Sequence, residues 1–141
     1  VGRSQLHPKL LDNPRITNRE KLNARYLKSS DLPKSTYSLI TVDVSFISLK
    51  LVLLPLWPLL TDNGTLISLI KPQFEATKEE ADKGRGVIRD PSIHHRVTEG
   101  IRRFAWKHLP NSREVRFSQS SLPGSDGNIE FFLALQKKRK N

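Results

Sequence analysis

The stretch from Ser38 to Lys71 constrains the fold more than any other part of the chain. Ser38-Leu39-Ile40-Thr41-Val42 is a short β-favouring run that stops at Asp43, and reads as a buried strand delivering its last residue to a sheet edge. Ile47 to Leu60 is apolar and helix-like, bent or shortened by Pro55 and Pro58. Asp62-Asn63-Gly64 is a turn signal, and Thr65 to Ile70 a second apolar strand that ends at Lys71. Strand, helix and strand at this spacing form a βαβ unit, whose buried parallel strands are expected to be apolar throughout. In open sheets of this kind, ligands bind outside the carboxyl ends of the strands.

The flanking sequence extends the pattern. Gln5 to Leu11 suggests a helix, and Arg15 to Thr17 the start of a short strand, which would put Asn23 after a strand end as well. Residues 72 to 90 are polar and form a long loop, with one helical turn near Lys78 to Asp82. Asp90-Pro91 is a helix start, because Asp caps free amides and proline suits the first helical position. That helix should run to about His108 and stop before Pro110. Glu114 to Gln119 and Ile129 to Gln136 read as strands separated by the Ser120 to Asn128 loop, close enough to pair antiparallel. The expected fold class is therefore α/β: an open, mostly parallel sheet with an antiparallel final strand, in one domain over residues 1–141 with a basic tail at 137–141.

Charge narrows the partners. The chain has 24 Lys/Arg against 14 Asp/Glu, a formal net charge of +10, which favours polyanions, nucleic acid before an anionic membrane. Residues 1 to 30 hold seven basic and two acidic side chains, and the tail adds Lys137, Lys138, Arg139 and Lys140. Such runs are commonly solvated faces. The absence of cysteine excludes disulfides, thiolate metal sites and a cysteine nucleophile, and fits a reducing, cytoplasmic compartment. The most apolar run, Leu51 to Leu60, is far short of the about 20 residues that span a bilayer. No metal-ligand cluster is visible, and no membrane partner is expected. The sequence leaves the oligomeric state open.

Four motifs now matter together: Asp43 to Pro55 (DVSFISLKLVLLP), Leu69 to Glu75 (LIKPQFE), Lys83 to Pro91 (KGRGVIRDP) and Gly127 to Phe131 (GNIEF). In this order they resemble the TlyA-type, FtsJ-like methyltransferases, a family often labelled haemolysin, over about Asn23 to Phe132. Asn23-Ala24-Arg25 matches an upstream family motif, and Val1-Gly2 resembles the end of the family's second strand. The resemblance implies a Rossmann-like methyltransferase sheet, S-adenosylmethionine as cofactor and 2′-O-methylation of RNA, with ribosomal RNA as substrate.

It also implies site residues. Three members of the family's Lys-Asp-Lys-Glu tetrad map onto Asp43, Lys71 and Glu130. The first lysine and the glycine-rich cofactor turn would fall before Val1, so the domain is expected to lack its N-terminal part and the chain alone to bind cofactor weakly or not at all. A ribose hydroxyl is a poor nucleophile and needs a base or electrostatic help, for which Lys71 is the candidate, with Asp43 and Glu130 orienting it. Asn23 and Asp43 are the candidate cofactor contacts, Asn23 on the adenine side. Each has a plainer alternative: Asp43 as a helix N-cap, Lys71 as a solvated strand end, Glu130 on the polar face of an edge strand, Asn23 as a turn cap. A non-catalytic RNA-binding module is the alternative function, and a membrane-active haemolysin a third. His94 and His95 are expected at the surface, Trp57 and Trp106 in core or rim packing.

Overall fold

The structure is a computed structural model that describes residues 4–139. Four strands, β1 (Tyr37–Val42), β2 (Leu60–Ile70), β3 (Ser112–Gln119) and β4 (Phe131–Lys137), form one sheet in the order β1-β2-β4-β3. β1 and β2 are parallel, and β4 runs antiparallel to both β2 and β3, so three strands share one direction and only the last is reversed. This is the mostly parallel α/β sheet expected from sequence. Its consequence is geometric: the end of β1, the end of β2 and the beginning of β4 meet at one edge.

Four helices accompany the sheet: α1 (Pro8–Leu11), α2 (Leu49–Leu56), α3 (Lys78–Lys83) and α4 (Pro91–His108). α2 carries Pro55 internally and tightens into a 3-10 turn at Trp57–Leu59, as expected where proline removes a helical donor. α4 begins as its sequence dictates, with Asp90 accepting from Ser92 N–H at 2.8 Å and Pro91 at the first position. Leu49, Val52 and Leu53 of α2 and Val97, Ile101 and Ala105 of α4 bury against Val42, Leu66, Ile70, Leu133 and Leu135 of the sheet. Alternation puts Leu39, Ile67, Leu69, Ala134 and Phe132 on the opposite face, where Leu39 and Phe132 are exposed.

Several expectations need correction. Asp62-Asn63-Gly64 lies inside β2, as an irregularity that shifts the register between Tyr37–Leu60 and Leu39–Thr65; Asn63 adopts a positive φ there. The N-terminal helix shortens to Pro8–Leu11, and residues 15–17 form no strand, since Asn13 and Pro14 hold that segment in turns. His94 is buried, its Nε2 2.8 Å from Ile88 O and its ring edge-on to Phe131. Trp57 is buried as expected, donating from its indole to Pro110 O at 2.9 Å, whereas Trp106 is 80% exposed and packs neither in core nor rim. The Val1-Gly2 strand end and Lys140 lie outside the described residues.

Candidate active site

Asp43 follows β1, Lys71 follows β2 and Glu130 precedes β4, so the topology delivers three charged side chains to one edge. Lys71 Nζ lies 2.7 Å from Asp43 Oδ1 and 4.0 Å from Glu130 Oε1, and donates to Ser45 Oγ at 3.4 Å. Burial grades across the trio: Glu130 is 8% exposed in its side chain, Lys71 15% and Asp43 67%. One carboxylate is thus fixed in the interior, the lysine bridges, and the other carboxylate faces solvent. Burial strengthens the Lys71–Glu130 attraction, while solvent screens the contact with Asp43.

The plainer alternatives do not describe Asp43, Lys71 or Glu130, whereas Asn23 is the turn cap that its plainer reading expects. Asp43 does not cap α2; Ser48 does, accepting from Lys50 N–H, with Glu75 taking the adjacent free donors. Lys71 is held, not solvated. Glu130 sits just before β4, which is an interior strand and not an edge, so the expected polar-face position is replaced by burial. Asn23 follows no strand; its Oδ1 accepts from Arg25 N–H at 3.0 Å and caps a 3-10 turn. It nonetheless shares a cleft of about 720 Å³ with Asp43 and Lys71, walled by Leu22, Val44 and Phe46.

Three further residues shape the site and were not singled out from sequence. Glu75 reaches back to α2, accepting from Ser48 Oγ at 2.8 Å and Leu49 N–H at 2.5 Å, and so ties the segment after Lys71 to the segment after Asp43. Burial pushes its carboxyl above the ordinary 4.5, opposed by those two hydrogen bonds and by nearby Lys50. Gln73 Nε2 approaches Glu130 Oε1 at 3.4 Å, while its own buried Oε1 has no hydrogen-bond partner among the described residues. Phe46 stands 77% exposed at φ +62°, an unusual conformation for a bulky residue, with its ring 4.8 Å from that of Phe74. The available signal was the motif itself: Phe46, Gln73 and Glu75 all lie in the segments flanking Asp43 and Lys71.

Two loops complete the edge. Asn128 Oδ1 accepts from Ile88 N–H at 3.0 Å and its Nδ2 donates to Gly86 O at 3.0 Å, which locks the Gly84–Ile88 loop beside Glu130. Gly124 lies so close that a Cβ there would fall 2.1 Å from Glu130 Oε1. At the far end of β4, Lys137 Nζ donates to Leu60 O at 2.8 Å and Trp57 O at 3.4 Å, so this tail residue caps backbone instead of reaching solvent. Among the described residues there is no cluster of three or more possible metal ligands and no helix long and apolar enough to cross a membrane.

Comparison with known proteins agrees with the geometry. The family model described as FtsJ-like methyltransferase matches residues 1–137. The chain is 39% identical over 135 residues to a provisional rRNA methyltransferase, YqxC of Bacillus subtilis, covering 96% of this chain and 47% of that one. It is 36% identical over 136 residues to the 16S/23S rRNA (cytidine-2′-O)-methyltransferase TlyA of Mycobacterium tuberculosis, covering 96% and 49%. A crystal structure from Lactococcus lactis, provisionally named a hemolysin, superposes with a TM-score of 0.89 at 36% identity over 97% of this chain and 64% of the other. The chain spans about half the length of the curated relatives it matches. By this match and by the arrangement of its sheet, the chain belongs to the FtsJ-like methyltransferase family.

Proposed function

We propose that the chain forms part of an S-adenosylmethionine-dependent enzyme that methylates a ribose 2′-hydroxyl of ribosomal RNA. The observation that carries this reading is Lys71 bridging Asp43 at 2.7 Å and Glu130 at 4.0 Å beside an open cleft. The named activity of the TlyA relatives supports the choice of ribosomal RNA and of the 2′-oxygen.

The cleft suits the nucleoside side of the cofactor. It offers apolar walls at Leu22, Val44 and Ile47, the amide of Asn23 and the exposed carboxylate of Asp43. An adenine needs a flat apolar slot with a few polar edges, and a ribose diol needs an acceptor, so the donor set fits. Bound S-adenosylmethionine supplies an electrophilic methyl group on a positively charged sulfur.

The chain's own residues prepare the other reactant. Lys71 Nζ donates a hydrogen bond to the ribose oxygen and stabilises the alkoxide character that this oxygen gains as its proton passes to solvent, before it takes up the methyl group. Glu130, dry and fixed, holds the ammonium from below; Asp43 holds it from the solvent side and points it across the cleft. Because transfer is in-line, this alignment matters as much as the charge. Phe46, exposed at the rim, offers a face on which the base of the target nucleotide can stack.

The test is chemical. The full-length protein carrying this chain, with ribosomal RNA and methyl-labelled cofactor, should place label in dinucleotides that resist alkaline cleavage, because a methylated 2′-oxygen cannot attack the neighbouring phosphate. Label released in mononucleotides would mean a base is methylated, and no label in RNA would leave only the binding-module reading.

A further inference from the structure

At the pole of the sheet opposite Lys71, the chain gathers cations with few acids. α4 ends at His108, the turn at Leu109–Asn111 leads into β3, and Lys138 N–H donates to Asn111 O at 2.9 Å. Ser112 pairs with Lys137 across the β3–β4 ladder, which brings Lys107, Arg113, Lys138 and Arg139 to this one end. Lys107, Lys138 and Arg139 are exposed and no ion pair engages them among the described residues, whereas Arg113 donates from its guanidinium to Gln136 Oε1 at 2.5 Å. Of the acids near this end, Glu114 is committed to Arg102, and Asp62 is exposed on the β2 irregularity.

Two features distinguish this pole from an ordinary solvated charge run. Trp106, in the last turn of α4 and adjacent to Lys107, is 80% exposed, whereas a side chain of that size normally buries most of its surface. One turn earlier, Arg103 is exposed on the same stripe of the helix. At the same pole a groove of about 380 Å³ opens between the end of α2 and the α4–β3 turn, walled by Leu54, Pro58, His108 and Pro110. An exposed aromatic face among unpaired cations is the combination that holds single-stranded nucleic acid, by base stacking and phosphate contact.

We propose that this pole is a second RNA-contact surface: Trp106 stacks an unpaired base, and Lys107, Lys138 and Arg139 contact the flanking phosphates. Seven residues of extended chain separate Lys137 from Glu130, about 23 Å at the rise of a strand, so this contact is distinct from the reacting nucleotide. It rests on the RNA substrate proposed above and adds a place where that RNA is held.

The two tryptophans provide the test. Trp57 is 2% exposed and reports the core, while Trp106 reports the pole. Titration of the full-length protein, with any tryptophan outside this chain replaced by Phe, against a single-stranded uridine oligonucleotide of about 20 residues should quench tryptophan emission, and Trp106→Phe should abolish the quench. The exposed-site variant Lys107→Ser/Lys138→Ser/Arg139→Ser should bind RNA about tenfold or more weakly, with a log–log salt slope shallower by about 2. Lys71→Ala should keep the quench. Unchanged emission at saturating RNA, or a triple variant with native affinity and slope, would overturn the proposal. Emission that shifts with protein concentration alone, and not with RNA, would assign the face to a second copy and overturn it too. A quench without methyl transfer to RNA would spare this surface and remove the proposed activity; methyl transfer without a quench would do the reverse.

Discussion

Lys71 and Asp43 were legible in the sequence because each is the first polar residue after an apolar strand, and a βαβ unit brings such positions together. Glu130 was legible only through its motif. Nothing in its neighbours reveals that β4 inserts between β2 and β3, and that insertion is what buries it. Glu75 was invisible for a similar reason: its partners Ser48 and Leu49 lie 27 and 26 positions away. It also sets a pH dependence. Its folded carboxyl titrates above 4.5, so the folded state holds that proton more tightly than the unfolded chain does. The contribution to stability is therefore most favourable at low pH and is lost as pH rises through the folded value. Thermal melts should show Glu75→Gln gaining on the parent between pH 4.5 and pH 7.5; a variant that instead loses ground over that interval would mean the capping bonds outweigh burial.

At the level of elements, α4 could be read almost to the residue, because Asp90-Pro91 and Pro110 mark both ends chemically. The start of β2 could not, since a turn tripeptide can equally sit in a bulge when the neighbouring strand supplies partners. The Ser120–Asn128 loop looked like a plain connection, yet Gly124 abuts the Glu130 carboxylate. A methyl group at 124 must displace that carboxylate. Gly124→Ala should therefore lower turnover at saturating RNA by up to roughly 100-fold, the scale of an ångström-sized misplacement, while the melting temperature changes little. Turnover close to the parent's would show that Glu130 position is not critical. Element chemistry also predicts acid sensitivity at α4. The Asp90 carboxyl is held below its ordinary range by the Ser92 side-chain and backbone donors. That cap contributes fully above the unfolded value and is lost as pH falls through the folded one, so Asp90→Asn should flatten the acid limb of the melting curve. An unchanged limb would contradict the assignment.

Across the whole molecule, one sheet separates two candidate sites. Its carboxyl edge carries Asp43, Lys71 and Glu130 around a cleft, and its opposite pole carries exposed cations and Trp106. Net charge alone signalled a polyanion partner but gave no position, because the location of each cation depends on which strand ends share a pole. Lys137 makes the point: it belongs to the basic tail by sequence but caps the α2–β2 connection in the fold, so replacing it should cost stability before affinity. The central claim is that Lys71 serves the reacting oxygen and not RNA binding. The direct measurement compares methyl incorporation and RNA affinity of Lys71→Ala with the parent in the full-length protein. Loss of an oxyanion-stabilising donor is typically worth about 3 to 4 kcal/mol, so turnover at saturating RNA should fall by roughly 100- to 1000-fold while affinity stays within about twofold. Near-native turnover at saturating RNA, or an affinity loss that accounts for the whole defect, would contradict it.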